Sequence, residues 1–165
     1  MTNPARKDRD RDDEGRANNA RPRDELGRPL PPGSKGIERI PEDLDLPPAK
    51  SLAWAQDLLD RGLAFNAHEV LEGAWKSCPA QERELWQGLA QLAVGITHLQ
   101  RGNLKGARSL LERASGRIAG FAGKAPYGID AAGLVRFADG LIAELRGGSE
   151  PDAEWLRPQL VRSPD

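Results

Sequence analysis

His68 and Glu72 are separated by one helical turn in the run Phe65-Asn-Ala-His68-Glu-Val-Leu-Glu72-Gly-Ala-Trp75. At i and i+4 on a helix their side chains are neighbours. The same periodicity sets Ala64, Phe65, His68, Leu71, Glu72 and Trp75 on one arc, and Asn66, Glu69, Gly73 and Lys76 on the opposite, polar side. The pair is therefore expected inside the apolar arc, between two aromatics, where an unsatisfied charge costs several kcal/mol. Three chemistries would answer that cost. A hydrogen-bonded cluster of His68, Glu72 and glutamine or backbone partners would fix how the helices pack. A neutral imidazole nitrogen and a carboxylate are also suitable ligands for zinc or another divalent ion, provided His98, with Gln87 or Gln91 or a water, completes the shell. The third is acid–base work, with Glu72 holding the His68 tautomer while the other ring nitrogen moves a proton. The run is not the His-Glu-x-x-His helix of zinc proteases, since Glu72 stands where the second histidine belongs.

The elements that must position these residues are helical. Pro48 opens a first helix carrying Leu52, Ala55, Leu58 and Leu59, with Gly62 as its stop. A second helix is expected over about 63–77, ending before Pro79. A third is expected over about 80–101, a fourth over about 104–121, and a fifth after Asp130 as N-cap. No window alternates in the manner of a strand. The fold class is all-α: a compact bundle of about five helices over residues 47–147. An N-terminal tail, disordered or extended, is expected over 1–46 and a C-terminal tail over 148–165. In the N-terminal tail, Leu30, Ile37, Ile40, Leu44 and Leu46 give its later half the means to lie along the domain as a strap.

The third helix carries an apolar stripe of Leu85, Leu89, Leu92, Ile96 and Leu99, with Gln87, Gln91 and His98 gathered on another face. It has no charge from Leu85 to Gln100, so it is expected at the centre, with its polar face able to meet His68 and Glu72.

An internal repeat organises these helices. A shift of 40 residues lays Arg61-Gly62, Ala67, Leu71-Glu72 and Ala74 on Arg101-Gly102, Ala107, Leu111-Glu112 and Ala114. The bundle thus reads as two helix-turn-helix hairpins plus a closing helix, too few units for an open solenoid. Glu72 has a twin in Glu112. His68 and His98 have none, since Arg108 and Leu58 occupy their matching positions.

Composition narrows the function classes. The 165 residues suit one domain, and 24 basic against 25 acidic residues leave a net charge of -1, with no strong field to draw nucleic acid or an anionic membrane. A single cysteine, Cys78, excludes an intrachain disulfide and a multi-cysteine zinc cage. The longest uncharged run is short for a membrane span, and no signal-like segment follows Met1. A cytoplasmic protein is expected, with a second copy or another protein as its kind of partner. Cys78, at a helix end before Pro79, reads as incidental, and Trp54, Trp75 and Trp86 read as core anchors. The Arg101-Gly102-Asn103 turn reads as part of the repeat rather than as an anion site.

The chain resembles the prokaryotic family called domain of unknown function 309. Its His-x-x-x-Glu-x-x-Trp/Tyr helix is met by His68, Glu72 and Trp75. Its second block is met by Gln87-Gly88-Leu89, Gln91-Leu92-Ala93, His98-Leu99, Arg101-Gly102-Asn103 and Gly106-Ala107. The resemblance implies a small helical bundle and metal binding at the His/Glu motif, with no assigned reaction. Two functions follow as expectations: a binding or scaffold module with a buried His/Glu site that takes a divalent ion, or a small metal-dependent enzyme using His68, Glu72 and His98.

Overall fold

The structure is a computed structural model and describes residues 23–31, 35–36, 40–41 and 45–162. Ile37 and Leu44 of the expected strap lie outside these residues. Five helices follow one another: α1 (Pro48–Asp60), α2 (Ala64–Ser77), α3 (Arg83–Gln100), α4 (Leu104–Ala119) and α5 (Ala131–Arg146). Among the described residues no strand forms; two isolated bridges, Arg23 with Pro29 and Ile129 with Val161, are the only extended pairings. The fold is the all-α bundle expected from the periodicity.

The boundaries have local causes. Pro48 occupies the first turn of α1, where its missing N–H is no loss. Asn103 caps α4 by accepting from the Gly106 N–H, and Asp130 caps α5 by accepting from the Gly133 N–H. The third helix starts later than expected, because Ala80–Glu82 after Pro79 form a separate 3-10 turn. Glu82 holds that turn in place: one carboxylate oxygen accepts from Trp86 Nε1 at 3.1 Å and the other from the Tyr127 hydroxyl at 3.0 Å.

The two hairpins turn in the same way, bond for bond. After α1, the Gly62 N–H donates to Leu59 O and the Leu63 N–H to Leu58 O at 2.8 Å. After α3, the Gly102 N–H donates to Leu99 O and the Asn103 N–H to His98 O, also at 2.8 Å. This is the Schellman arrangement, which needs a left-handed residue, and Gly62 and Gly102 supply it at φ +78° and +77°.

Each helix packs chiefly on its sequence neighbours, and α3 lies between α2 and α4. The centre of the core is Leu85, Trp86, Leu89, Leu92 and Ile96 of α3, met by Ala67, Val70 and Leu71 of α2 and by Leu111, Ala114 and Ile118 of α4. Small residues bring α3 and α4 close: a Cβ at Gly88 would meet Ile118 Cγ1 at 2.8 Å. Residues beyond α5 turn back onto the domain. Gln56 of α1 accepts from the Leu160 N–H and donates to Pro158 O, while Asp130 N–H donates to Leu160 O. Leu156 and Leu160 are buried there.

Candidate functional site

The buried side of α2 is centred on Ala64, Ala67, Val70 and Leu71, and this places His68 and Glu72 at its rim. The His68 side chain is 17% exposed and that of Glu72 41%. Asn66, expected on the polar side, is buried at 4%. The expected arc was thus rotated away from the true one. The cause is that α2 packs on α1 as well as α3, so its contact face is wider and reaches the Ala67–Val70 side. Glu69 is half-buried.

Both ring nitrogens of His68 are engaged by its own helix. Nδ1 lies 2.6 Å from the Phe65 carbonyl oxygen, which can only accept, so Nδ1 carries a proton. Nε2 lies 3.2 Å from Glu72 Oε2. With the tautomer fixed in this way, two oxygen- or nitrogen-centred lone pairs would face each other unless a cation, a proton or a metal, sits between them. The His68 hydrogen bond holds the Glu72 carboxyl below its usual range against the opposing effect of burial, and the charges of His68 and Lys76 act with it. Lys76 Nζ stands 3.8 Å from Glu72 Oε1. Phe65 tilts against the imidazole with ring centroids 4.9 Å apart.

The second hairpin repeats the pair with a permanent cation. Arg108, the counterpart of His68, donates from Nε to Glu112 Oε1 at 3.1 Å. Arg146 of α5 reaches the same oxygen at 3.1 Å. A cation and a glutamate one turn apart is therefore a property of the hairpin, and His68 is its titratable version.

His98 serves a different neighbour. Its Nδ1 lies 3.0 Å from Asn103 Nδ2, and the Asn103 amide is oriented by its Oδ1 accepting from the Gly106 N–H. An amide nitrogen only donates, so His98 Nδ1 accepts and the ring is neutral. Burial pushes its pKa below the ordinary imidazole value, and the nearby Arg101 charge pushes the same way. In the first hairpin both positions are leucine, Leu58 and Leu63. The histidine and the capping asparagine thus depart from the repeat together. That coupled departure was visible in the sequence and is the signal that a reading of His98 alone misses.

Gln91 of α3 is also committed elsewhere: its Oε1 accepts from Arg117 Nε on α4, while Arg117 Nη1 holds Glu84 at 2.7 Å. Gln87 is half-buried. Among the described residues, no group of three or more His, Cys, Asp or Glu side chains is placed to hold a metal ion. His68, Glu72 and His98 are thus not assembled as one ligand set, because His98 sits at the α3–α4 turn and bonds to that turn's cap. Cys78 is half-buried with its thiol on the Trp75 carbonyl, and burial raises its pKa, which disfavours the thiolate.

A contact that the sequence reading did not anticipate lies beside His68. Phe65 carries two guanidinium groups, those of Arg23 at 5.0 Å and of Arg101 at 5.6 Å from its ring centroid. Arg101, at the end of α3, donates from Nε to Leu26 O at 2.8 Å. Burial lowers its pKa, with Asp24 opposing that shift and Arg28 adding to it.

The fold and site define a class: a small bundle of two repeated helical hairpins, each bearing a basic side chain bridged to a glutamate one turn on, closed by a fifth helix. Comparison with known proteins covers part of the chain. The model of the family described as "Domain of unknown function (DUF309)" matches residues 52–110, the two hairpins up to the middle of α4. A Bacillus subtilis (strain 168) protein, "Uncharacterized protein YpuF", is 44% identical over 48 residues. That alignment spans 28% of this chain and 28% of the relative. No solved structure matches the chain. No helix among the described residues is long and apolar enough to cross a membrane.

Proposed function

We propose that the chain is a helical binding and scaffold module in which His68 and Glu72 form a titratable clamp on α2. The observation that carries this reading is the repeated pair: Arg108 and Glu112 make the same one-turn bridge in the other hairpin. A group that the hairpin uses twice, once with a permanent cation, is explained by the hairpin. His68 is held on both nitrogens, which leaves it fixed in place rather than free to shuttle a proton. The deciding experiment is a carboxyl chemical-shift titration of Glu72 in the wild type and in His68→Ala. Loss of the clamp should raise the pH at which Glu72 titrates, since the His68 hydrogen bond is what holds it low. An unmoved titration would overturn the clamp.

A second reading is supported by one feature of the same pair. A histidine whose Nδ1–H is held by a backbone carbonyl presents Nε2 in the orientation that metal sites use. The 3.2 Å between Nε2 and Oε2 is also near the edge of a zinc tetrahedron, about 3.3 Å for bonds of about 2.0–2.2 Å. The pair would hold a divalent ion by two protein atoms, short of the three or four that zinc sites supply. Such an ion would stand between His68 Nε2 and Glu72 Oε2 in place of a proton, with water supplying its remaining ligands. The enzyme reading with His68, Glu72 and His98 would need His98 to turn from the Asn103 cap that it bonds to.

A further inference from the structure

We propose that Phe65 and Arg101 form a peptide-docking platform whose occupant is this chain's own segment 23–29, bound as an intramolecular ligand. The segment makes its own compact turn. Asp24 Oδ1 accepts from the Leu26 and Arg28 N–H groups, the Asp24 N–H donates to Arg28 O, and Arg23 Nη1 donates to Gly27 O at 2.6 Å. Gly27 sits at φ +76°, and a Cβ there would run into the Phe65 ring. The turn is thus pressed backbone-first against an aromatic face, which only glycine permits. Two attachments hold it there. Arg101 reaches across from α3 to the Leu26 carbonyl, and Arg23 of the segment closes over the Phe65 ring that Arg101 also contacts.

The geometry is that of peptide recognition: one main-chain acceptor read by a fixed guanidinium, and one glycine read by a ring. The platform's remaining donor strengthens the case. Arg101 Nη2 is buried with no hydrogen-bond partner among the described residues, so the platform offers more than its present occupant uses. The consequence for the neighbouring clamp is direct. Phe65 supplies both the ring that tilts on the His68 imidazole and the carbonyl that holds its Nδ1. Occupation of the platform therefore covers the aromatic wall of the His68–Glu72 pair, and departure of the segment uncovers it.

The test uses the full chain. Gly27→Val adds a β-branched side chain where neither the backbone angle nor the Phe65 ring leaves room, and it lies outside every helix. A fluorescent peptide of residues 23–31 should bind Gly27→Val at least tenfold more tightly than wild type, because the wild-type platform is already filled at high effective concentration. Binding should be lost in the double variant Gly27→Val/Arg101→Gln, with helical circular dichroism retained. Trypsin should also cut after Arg23 at least tenfold faster in Gly27→Val, Arg28 being protected by the following Pro29. Equal peptide binding to wild type and Gly27→Val, or equal cleavage rates, would overturn the proposal. None of these readouts depends on the protonation or metal loading of His68, so the clamp can fail without this site failing.

Discussion

His68 and Arg108 occupy equivalent positions in the two hairpins, and each bridges to a glutamate one turn further along its helix, at 3.2 and 3.1 Å. The relationship sets the energetic scale of the pair. Glu72 is substantially solvent-exposed, so water screens its attraction to His68, and exposed i,i+4 pairs contribute only a few tenths of a kcal/mol to about 1. Glu72→Ala is expected to cost about 0.5–1 kcal/mol at neutral pH by urea unfolding. A buried pair, as the helical periodicity alone implies, would cost roughly 2–4 kcal/mol. His68→Arg should be tolerated better than His68→Ala, since it copies the second hairpin. A loss above about 2 kcal/mol for Glu72→Ala would show that the pair is buried after all.

The pH dependence separates His98 from Glu72. His98 has a folded pKa depressed below 6.5, so the unfolded chain takes up its proton first as pH falls. The stability it contributes is full above about 6.5 and is lost as pH drops toward the folded value. Glu72 is depressed from 4.5, so its contribution is present above that value and lost at lower pH. Unfolding free energy should therefore fall in two separate windows, one below about pH 6.5 and one below about 4.5. The double variant His98→Leu/Asn103→Leu copies Leu58 and Leu63 of the first hairpin and should erase the upper step that His98 contributes. Persistence of that step unchanged in the double variant would assign it to another group.

The two histidines also show what a sequence can carry. The helices were legible because their signals are local: Pro48, Asp130 and the Arg-Gly turns act within one turn of the chain, and the apolar period of α3 needs no partner to be seen. The repeat was legible for the same reason. The orientation of α2 was not, because the choice between Ala67–Val70 and Phe65–Glu72 as its inward side depends on where α1 packs. His98 read alone looks like a ligand in search of a metal. Read with Asn103, it is half of a cap, and that pairing depends on a turn whose two ends lie five residues apart. The Phe65–Arg101 platform was beyond reach, since Arg101 and Leu26 are 75 positions apart and no periodicity links them.

Metal loading should follow the pair and ignore His98. Chelator-free protein is expected to carry less than about a tenth of an equivalent of divalent metal, because two protein ligands hold such ions weakly. Any rise in melting midpoint on adding excess zinc should disappear in His68→Ala and in Glu72→Ala, and should survive in His98→Leu. Tight stoichiometric zinc that is lost in His98→Leu would restore the three-residue site and with it the enzyme reading.

The equivalence of the hairpins can be tested without touching any polar group. Gly62 and Gly102 share φ near +78°, and a Cβ at either would meet nothing within 4 Å. Alanine there creates no clash, so its cost is the left-handed backbone itself, about 1–2 kcal/mol. Gly62→Ala and Gly102→Ala should therefore destabilise by the same amount within about 0.5 kcal/mol, and the double variant should show the sum of the two. Matched losses in chemical denaturation would establish that the turns are thermodynamically the same element. A loss at one site with none at the other would mean that only one turn is held in the Schellman form, and the repeat would then be one of sequence alone.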